Sequence, residues 1–476
     1  MHVFAPYLDA LGGQSRGMAD LVAQWVAIRS GSYDVEGLSR MAEALKGPFA
    51  ALGGEVEEIH LAPHRNINSL GHPVDVPLGK ALRFRKRPGA PVQVFLGIHY
   101  DVVYGDGDGP GPPEVRVEGD VLRGSGSVDA KGGLVILLKA LETLEASPYA
   151  AGLGWEVLLN PDEEIGSPGS LPLLREAAGR NHLGLLFEPC LPDGNLVSIR
   201  KGSGNFTAVM RGRASHAGRD PHLGRNAVSA LAEFVVDLDR FGRTQPGMAV
   251  NVGKLEGGGP VNRVPDLALG RFNLRVRSAE DQVEAEAYLK RMVEEFNRRD
   301  GFSLEIHGGF SSPPKVPAGP TLGLQRMVTA CGKDLGLDLK WESSGGVSDG
   351  NKLAAAGLPN VDTLGAQGGN IHSGEEFLRL DSLLERARLA ALLLFKLATG
   401  EMAWPPPAPE PNTRVLPEVL YTARRAGAGK LTRVVSGSKV EGAGGGTRGN
   451  LGLGISNGNG NGNKNVNDKK GGETHG

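Results

Sequence analysis

Hydrophobic periodicity divides the chain into two textures. Over residues 16–52 apolar positions recur at helical spacing in "MADLVAQWVAIRS" and "EGLSRMAEALKGPFAALGG", with the turn "GSYD" between them. The second helix is predicted to stop at its closing Gly pair. "APVQVFLGIHYDVVYG" (90–105) is a continuous apolar run with a polar end, as a buried strand requires. "GWEVLLN" (154–160) and "HLGLLFEP" (182–189) read the same way. Between the first two lies "KGGLVILLKALETLEAS" (131–147), a helix with a glycine-rich start. Strands alternating with helices predict an α/β fold with a mostly parallel sheet and helices on both faces.

From about 201 to 312 the order becomes strand, helix, strand, strand, helix, strand. The pieces are "GNFTAVMRGR", "GRNAVSALAEFVVDLDRF", "MAVNVGKLEGG", "LALGRFNLRVR", "DQVEAEAYLKRMVEEFNRR" and "FSLEIHGGF". This is the pattern of a small α+β unit with a four-stranded sheet and two helices. After 313 the α/β texture returns with "TLGLQRMVTACGKDLG" and "PNVDTLG". The expected organisation is a discontinuous domain, 1–200 plus 313–402, interrupted by an inserted domain, 201–312. Beyond it, 403–476 is rich in Pro, Gly and Asn, almost free of large apolar side chains, and expected to be a disordered tail.

Composition narrows the function classes. A length of 476 residues suffices for a large core. A net charge of −2 gives no global field towards nucleic acid or an anionic membrane. The tail carries a few more basic than acidic groups, but with one aromatic pair, Trp404 and Tyr421, it makes no stacking platform. Two cysteines, Cys190 and Cys331, are too few for a disulfide framework or a thiolate cluster. The longest apolar helical run, 389–398, is too short to span a bilayer, and the N-terminus lacks a secretion-signal pattern. A cytoplasmic protein is expected.

The chemistry sits at the strand ends. "GIHYDVV" supplies His99 and Asp101, "GSVDAKGG" supplies Asp129, and "NPDEEIGSPGS" supplies Asp162, Glu163 and Glu164. "FEP" supplies Glu188, and the late "GGNIHSGEE" adds His372. Taken singly, each reads as a turn, cap or surface residue. In a parallel sheet, however, the C-terminal strand ends share one edge, where ligands bind. Like charges crowded there must gain protons or meet a cation. Two imidazoles, several carboxylates and no thiolate suit a borderline divalent ion, zinc above all.

These motifs, together with "RASHAG", resemble in order the signatures of the di-zinc aminoacylase and carboxypeptidase family. That family includes glutamate carboxypeptidase, acetylornithine deacetylase and succinyl-diaminopimelate desuccinylase. The resemblance covers roughly residues 15–400. It implies two divalent ions, most often zinc, with cobalt or manganese as substitutes. His99 and Glu188 would hold one ion, Glu164 and His372 the other, and Asp129 both. Asp101 would stand behind His99 and fix its tautomer, and Glu163 would be the general base. Asp162, read as a helix-start or solvent carboxylate, receives no chemistry. The resemblance also implies a cis peptide at Asp129–Ala130; Ala130 stands where many relatives have Met or Asp.

At the substrate end, His216 would hydrogen-bond the developing oxyanion from a partner subunit, implying a homodimer through the lid domain. Asn262 and Arg275 would grip the substrate's backbone and terminal carboxylate, with Arg271 and Arg277 as rivals on the same strand face. Gly346 and Ser348, in the loop "SSGGVSDGNK", would touch substrate. Val347 replaces a common Thr there. The expected activity is metal-dependent hydrolysis of an N-acyl amino acid or a small dipeptide-like compound with a free α-carboxylate, glutamate-carboxypeptidase-like. The alternatives are an acetylornithine-deacetylase-like deacylase and, outside enzymes, a metal-retaining binding protein. Retention of Glu163 speaks against the last.

Overall fold

The strand Leu153–Asn160 is buried at all eight positions, and it sits at the centre of a six-stranded sheet. Val92–His99 pairs with it in parallel, and Leu183–Leu186 and Asn360–Val361 continue the sheet in the same sense. On the other side, Lys80–Lys86 and then Glu55–His60 add an antiparallel edge. The structure, a computed structural model, describes residues 3–104 and 115–405. The expected tail lies outside the described residues from 406 onward. The sheet is mostly parallel, as expected, and charge pairing explains the sequence of its antiparallel edge. Glu55 stands opposite Arg85 and Glu57 opposite Arg83, with contacts of 2.9 Å in each pair.

Alternation along the strands sends side chains to two apolar layers, as the two-residue period demands. Val94, Leu96 and Ile98 join one core, with the helices Ser15–Val26, Val35–Ala50, Gly132–Glu145 and Leu380–Ala398. Phe95, Leu158 and Leu186 face the other, with Leu174 and Ala177 of helix Leu171–Arg180 and Leu353 of helix Asp349–Ala355. Parallel strands covered on both faces read as unbroken apolar runs, which is what made them legible. The glycine-rich start of helix Gly132–Glu145 has a steric cause. A Cβ on Gly133 would lie 2.1 Å from the Phe187 carbonyl oxygen. The helix therefore packs directly against the strand exit that leads to Glu188.

A second, four-stranded antiparallel sheet has the order Ala249–Gly257, Leu267–Val276, Gly202–Arg211, Ser303–Ser312. Helices Ala227–Thr244 and Asn-terminated Ala279–Asn297 bury Phe234, Leu238, Leu289 and Phe296 against it, forming a separate apolar core. Its element order matches the expected α+β unit. Its other face receives a hairpin, His64–Ile67 and Pro73–Val76, that the sequence reading did not contain. Ile67 packs on Val209 and Leu269, while Arg271 Nη2 donates to the Ile67 carbonyl at 2.7 Å.

Candidate metal centre

Five of the predicted residues arrive at one edge of the large sheet. His99 ends its strand, Glu188 lies just beyond Leu183–Leu186, and Glu164 follows the strand that ends at Asn160. Asp129 sits in the irregular segment Ser127–Lys131, with φ −116° and ψ 85°, and the Asp129–Ala130 peptide is cis, as expected. His372 comes from the loop after 370, at φ 60°, a left-handed conformation in which His and Asn are over-represented.

Asp129 stands in the middle. Its Oδ1 lies 3.2 Å from His99 Nε2, which is itself 3.5 Å from Glu188 Oε2. Its Oδ2 lies 3.3 Å from His372 Nε2, which is 3.2 Å from Glu164 Oε2. One carboxylate thus faces two separate His–Glu pairs, one with each oxygen. The donor atoms of His99, Asp129 and Glu164 all fall within 4.8 Å of one another.

The electrostatics of this cluster call for positive charge. Burial, aided by the Asp129 charge, raises the Glu164 carboxyl to about 7. Burial likewise raises Glu188, and burial together with the charge of Glu188 lifts Glu163 well above the carboxylate range. His372 is pushed up to about 11 by its contacts with Asp129 and Glu164. His99 rises well above its ordinary value because Glu188, Asp101 and Asp129 outweigh the opposing effect of burial. His99 Nδ1 points at the Asp101 carbonyl oxygen, 3.0 Å away, and must donate there. A neutral ring would then aim its Nε2 lone pair at two carboxylates. A cation resolves that conflict, and this donor set fits a divalent one.

The supporting acids have specific tasks. Asp101 is completely buried; its Oδ1 accepts from Glu163 N and its Oδ2 from Glu164 N, each at 3.1 Å, with Ser32 Oγ at 2.7 Å. It therefore holds the backbone of the carboxylate pair as well as standing 3.3 Å from His99 Nδ1. Asp162 is buried, which corrects the solvent half of its reading. Its carboxylate accepts from Gly169 N at 2.7 Å and Ser170 N at 3.0 Å, at the start of helix Leu171–Arg180. Burial pushes it up to about 6.

Arg275 donates from Nη1 to the Gly345 carbonyl at 3.3 Å and from Nε to Asn273 Oδ1 at 2.9 Å. Burial lowers its pKa, and the nearby Glu163 charge opposes this, which puts the guanidinium within the field of the cluster. Of its rivals, Arg271 is engaged by the 64–67 strand, and Arg277 pairs with Asp281 at 3.9 Å. His216 and Asn262 line a separate cleft of about 350 Å³ with Ala214, Ser215 and Arg263. His216 Nδ1 accepts from Gly218 N and Arg219 N, which leaves the proton of a neutral ring on Nε2. The Gly346 carbonyl oxygen accepts from Arg200 Nη1 at 3.3 Å. Ser348 is buried at the N-cap of helix Asp349–Ala355, and its hydroxyl donates to Asp362 at 3.0 Å.

Further supporting residues escaped the sequence reading. Glu376, 3 % exposed, accepts from the backbone N–H groups of Gly126, Val128 and Asp129 at 2.7–3.0 Å and so fixes the turn that presents Asp129. It lies in the same "IHSGEE" stretch as His372, and that proximity was the available signal. Arg200, at a strand end, joins Lys315 on Asp362 at 2.8 and 2.9 Å. Glu376→Ala leaves those three N–H groups without their acceptor. We expect it to weaken divalent-metal affinity by about 10–100-fold, read by competition with a fluorescent chelator.

Comparison with known proteins bears on this arrangement. The profile of peptidase family M20/M25/M40 matches residues 95–396. Carboxypeptidase G2 of Pseudomonas sp. (strain RS-16) is 28% identical over 387 residues, which is 79% of this chain and 88% of that protein. A succinyl-diaminopimelate desuccinylase of Novosphingobium aromaticivorans is 29% identical over 349 residues, 70% of this chain and 89% of its own. An M20 family metallo-carboxypeptidase from Sulfolobus solfataricus shares the fold, with a TM-score of 0.63 at 17% identity over 80% of this chain and 99% of that one. The matched segment is 302 residues long, well over half of the chain, and the chain belongs to peptidase family M20/M25/M40, as a metal-dependent hydrolase.

Proposed function

We propose that the protein hydrolyses the amide bond of N-acyl amino acids, or of small peptide-like compounds, that carry a free α-carboxylate. The observation that supports this most is the position of Asp129, each of whose oxygens faces its own His–Glu pair. In this reading His99 and Glu188 hold one divalent ion, Glu164 and His372 hold a second, and Asp129 serves both. The donor set favours zinc, with cobalt or manganese as substitutes. Bound ions supply Lewis acidity to the scissile carbonyl and to water.

The chain's own groups do the rest. Glu163 takes the proton of the attacking water at its carboxylate and returns it to the leaving nitrogen. In the proposed homodimer His216 reaches the site from the partner subunit and offers Nε2–H to the oxyanion, and Asn262 beside it grips the substrate backbone. Arg275 pairs bidentately with the α-carboxylate, a task for its planar fork. Gly346 and Ser348 belong to the loop that borders the substrate. Residues 201–312 act as a lid on the catalytic part, 1–200 and 313–402, and as the surface of a homodimer. The exposed edge strand Ala249–Gly257 supports that last role. The assignment to the cytoplasm completes the reading; no helix among the described residues is long and apolar enough to cross a membrane.

The test is a panel of N-acetyl, N-succinyl and N-benzoyl amino acids, with the matching α-carboxamides, against zinc-loaded protein. Free acids should be cleaved and amides spared. Arg275→Ala should raise KM for the free acids by at least about tenfold, the loss of a charge-assisted pair. An equal effect on carboxamides would assign the carboxylate to another group.

A further inference from the structure

We infer that the buried pair Asp349–Lys352 is a positioning device for the loop 160–167, which carries Glu163 and Glu164. This rests on the reading above, in which Glu163 moves the proton. All four side chains involved are buried: Asp349 is 4 % exposed, Lys352 3 %, Asn160 2 % and Ser167 0 %. Asp349 Oδ2 accepts from Asn160 Nδ2 at 2.8 Å, and Oδ1 accepts from Ser167 Oγ at 2.5 Å. Asn160 ends the central strand and Ser167 ends the turn, so one carboxylate ties both ends of the loop to the start of helix Asp349–Ala355. Between those ends Asp101 holds the backbone N–H groups of Glu163 and Glu164.

Ser167 strengthens the case. Its φ of 56° is disfavoured for any residue with a Cβ, yet the position is not glycine. The side chain that incurs this cost is the one that reaches Asp349. Lys352 Nζ stands 2.8 Å from Asp349 Oδ1 and neutralises it. An unpaired anion there would share the interior with Asp101, Asp162 and Glu163. A buried ion pair seldom stabilises a fold more than apolar side chains of the same volume would. Accurate placement of a reacting group, in contrast, is worth orders of magnitude in rate. The pair is therefore better explained by geometry than by stability.

The experiment compares full-length, zinc-loaded Lys352→Met, Lys352→Arg, Ser167→Ala and Glu163→Gln. It uses the N-acyl amino acid that the panel selects, and reads metal content and thermal midpoint alongside kcat and KM. Lys352→Met and Ser167→Ala should lower kcat about 10- to 100-fold, as a displacement on the order of 1 Å does, with metal content unchanged. KM should stay within about twofold, since no group that binds substrate is removed. Lys352→Arg, which keeps the cation, should recover most of the lost kcat. Wild-type kcat in metal-loaded Lys352→Met and Ser167→Ala, with only the thermal midpoint lowered, would overturn the inference and leave the pair a packing feature. If Lys352→Met does not fold, Ser167→Ala decides, because it removes one hydroxyl and leaves the ion pair intact. Loss of turnover in Glu163→Gln alone would sink the positioning role and spare the base. Normal turnover in Glu163→Gln would sink both.

Discussion

Glu163→Gln is expected to retain the metal content of the wild-type protein and to hydrolyse the same substrate at least about a hundredfold more slowly, the usual cost of losing a general base. The amide is close to isosteric with the acid and still accepts hydrogen bonds, but it cannot take a proton from water near neutral pH. Its backbone N–H keeps its bond to Asp101 Oδ1, so the loop keeps its anchor. Metal binding should survive because the proposed ligand is the neighbouring Glu164, which faces His372. The fall should appear in kcat and in kcat/KM together, since the lost contribution belongs to the transition state. Kinetics with parallel elemental analysis check it. A variant with near-normal turnover would remove Glu163 from the mechanism, and one that had lost its metal would make it a ligand.

The second large effect concerns stability. Asp362 is completely buried, and its Oδ2 accepts from Arg200 Nε, Lys315 Nζ and Ser348 Oγ at 2.8–3.0 Å. Arg200 and Lys315 lie on the two chain crossings that lead into and out of the four-stranded sheet, and their backbones bridge to each other. Asp362→Asn keeps the volume and removes the only anion that contacts both cations among the described hydrogen bonds. Breaking one partner of a buried ionic group costs about 3–5 kcal/mol, and urea unfolding should show a loss of that order. Burial raises the Asp362 carboxyl, but Arg200 and Lys315 overcome this and hold it well below the usual range. A depressed carboxylate contributes stability above the unfolded value of about 3.9, and that contribution is lost as pH falls through the folded value. The penalty of Asp362→Asn should therefore be the same at pH 7 and pH 5, and shrink only in strong acid. A loss below about 1 kcal/mol would show that the two cations find other partners, or that Lys315 gives up its charge, once the carboxylate is gone.

What the sequence made legible follows from burial on both faces. Parallel strands gave unbroken apolar runs, and each run pointed at the polar residue that ends it. His99, Glu164 and Glu188 could be found that way, and the glycines around Asp129 marked a close backbone approach. The antiparallel edge was harder, since Glu55–His60 is largely solvent-exposed and carries its charges in cross-strand pairs. The hairpin 64–76 was invisible because its four-residue strands pair only with each other and bury Ile67 only against the four-stranded sheet. Glu376, Arg200, Asp362 and Asp349 share another obstacle. Each acts on groups far away in the chain; Glu376, for example, serves N–H groups some 250 positions earlier. No local period marks such a residue, and a lone acid or base reads as surface until the tertiary structure buries it. The same limit applies to the choice among Arg271, Arg275 and Arg277. Two-residue alternation put all three on one face, and only the neighbours of each guanidinium separate them.

The metal content of active enzyme tests the central claim most directly. Purified, catalytically active protein should contain about two equivalents of divalent metal per chain, should lose hydrolysis on chelation, and should regain it when zinc is restored. Active protein without stoichiometric divalent metal, or hydrolysis that continues undiminished after chelation, would contradict the account.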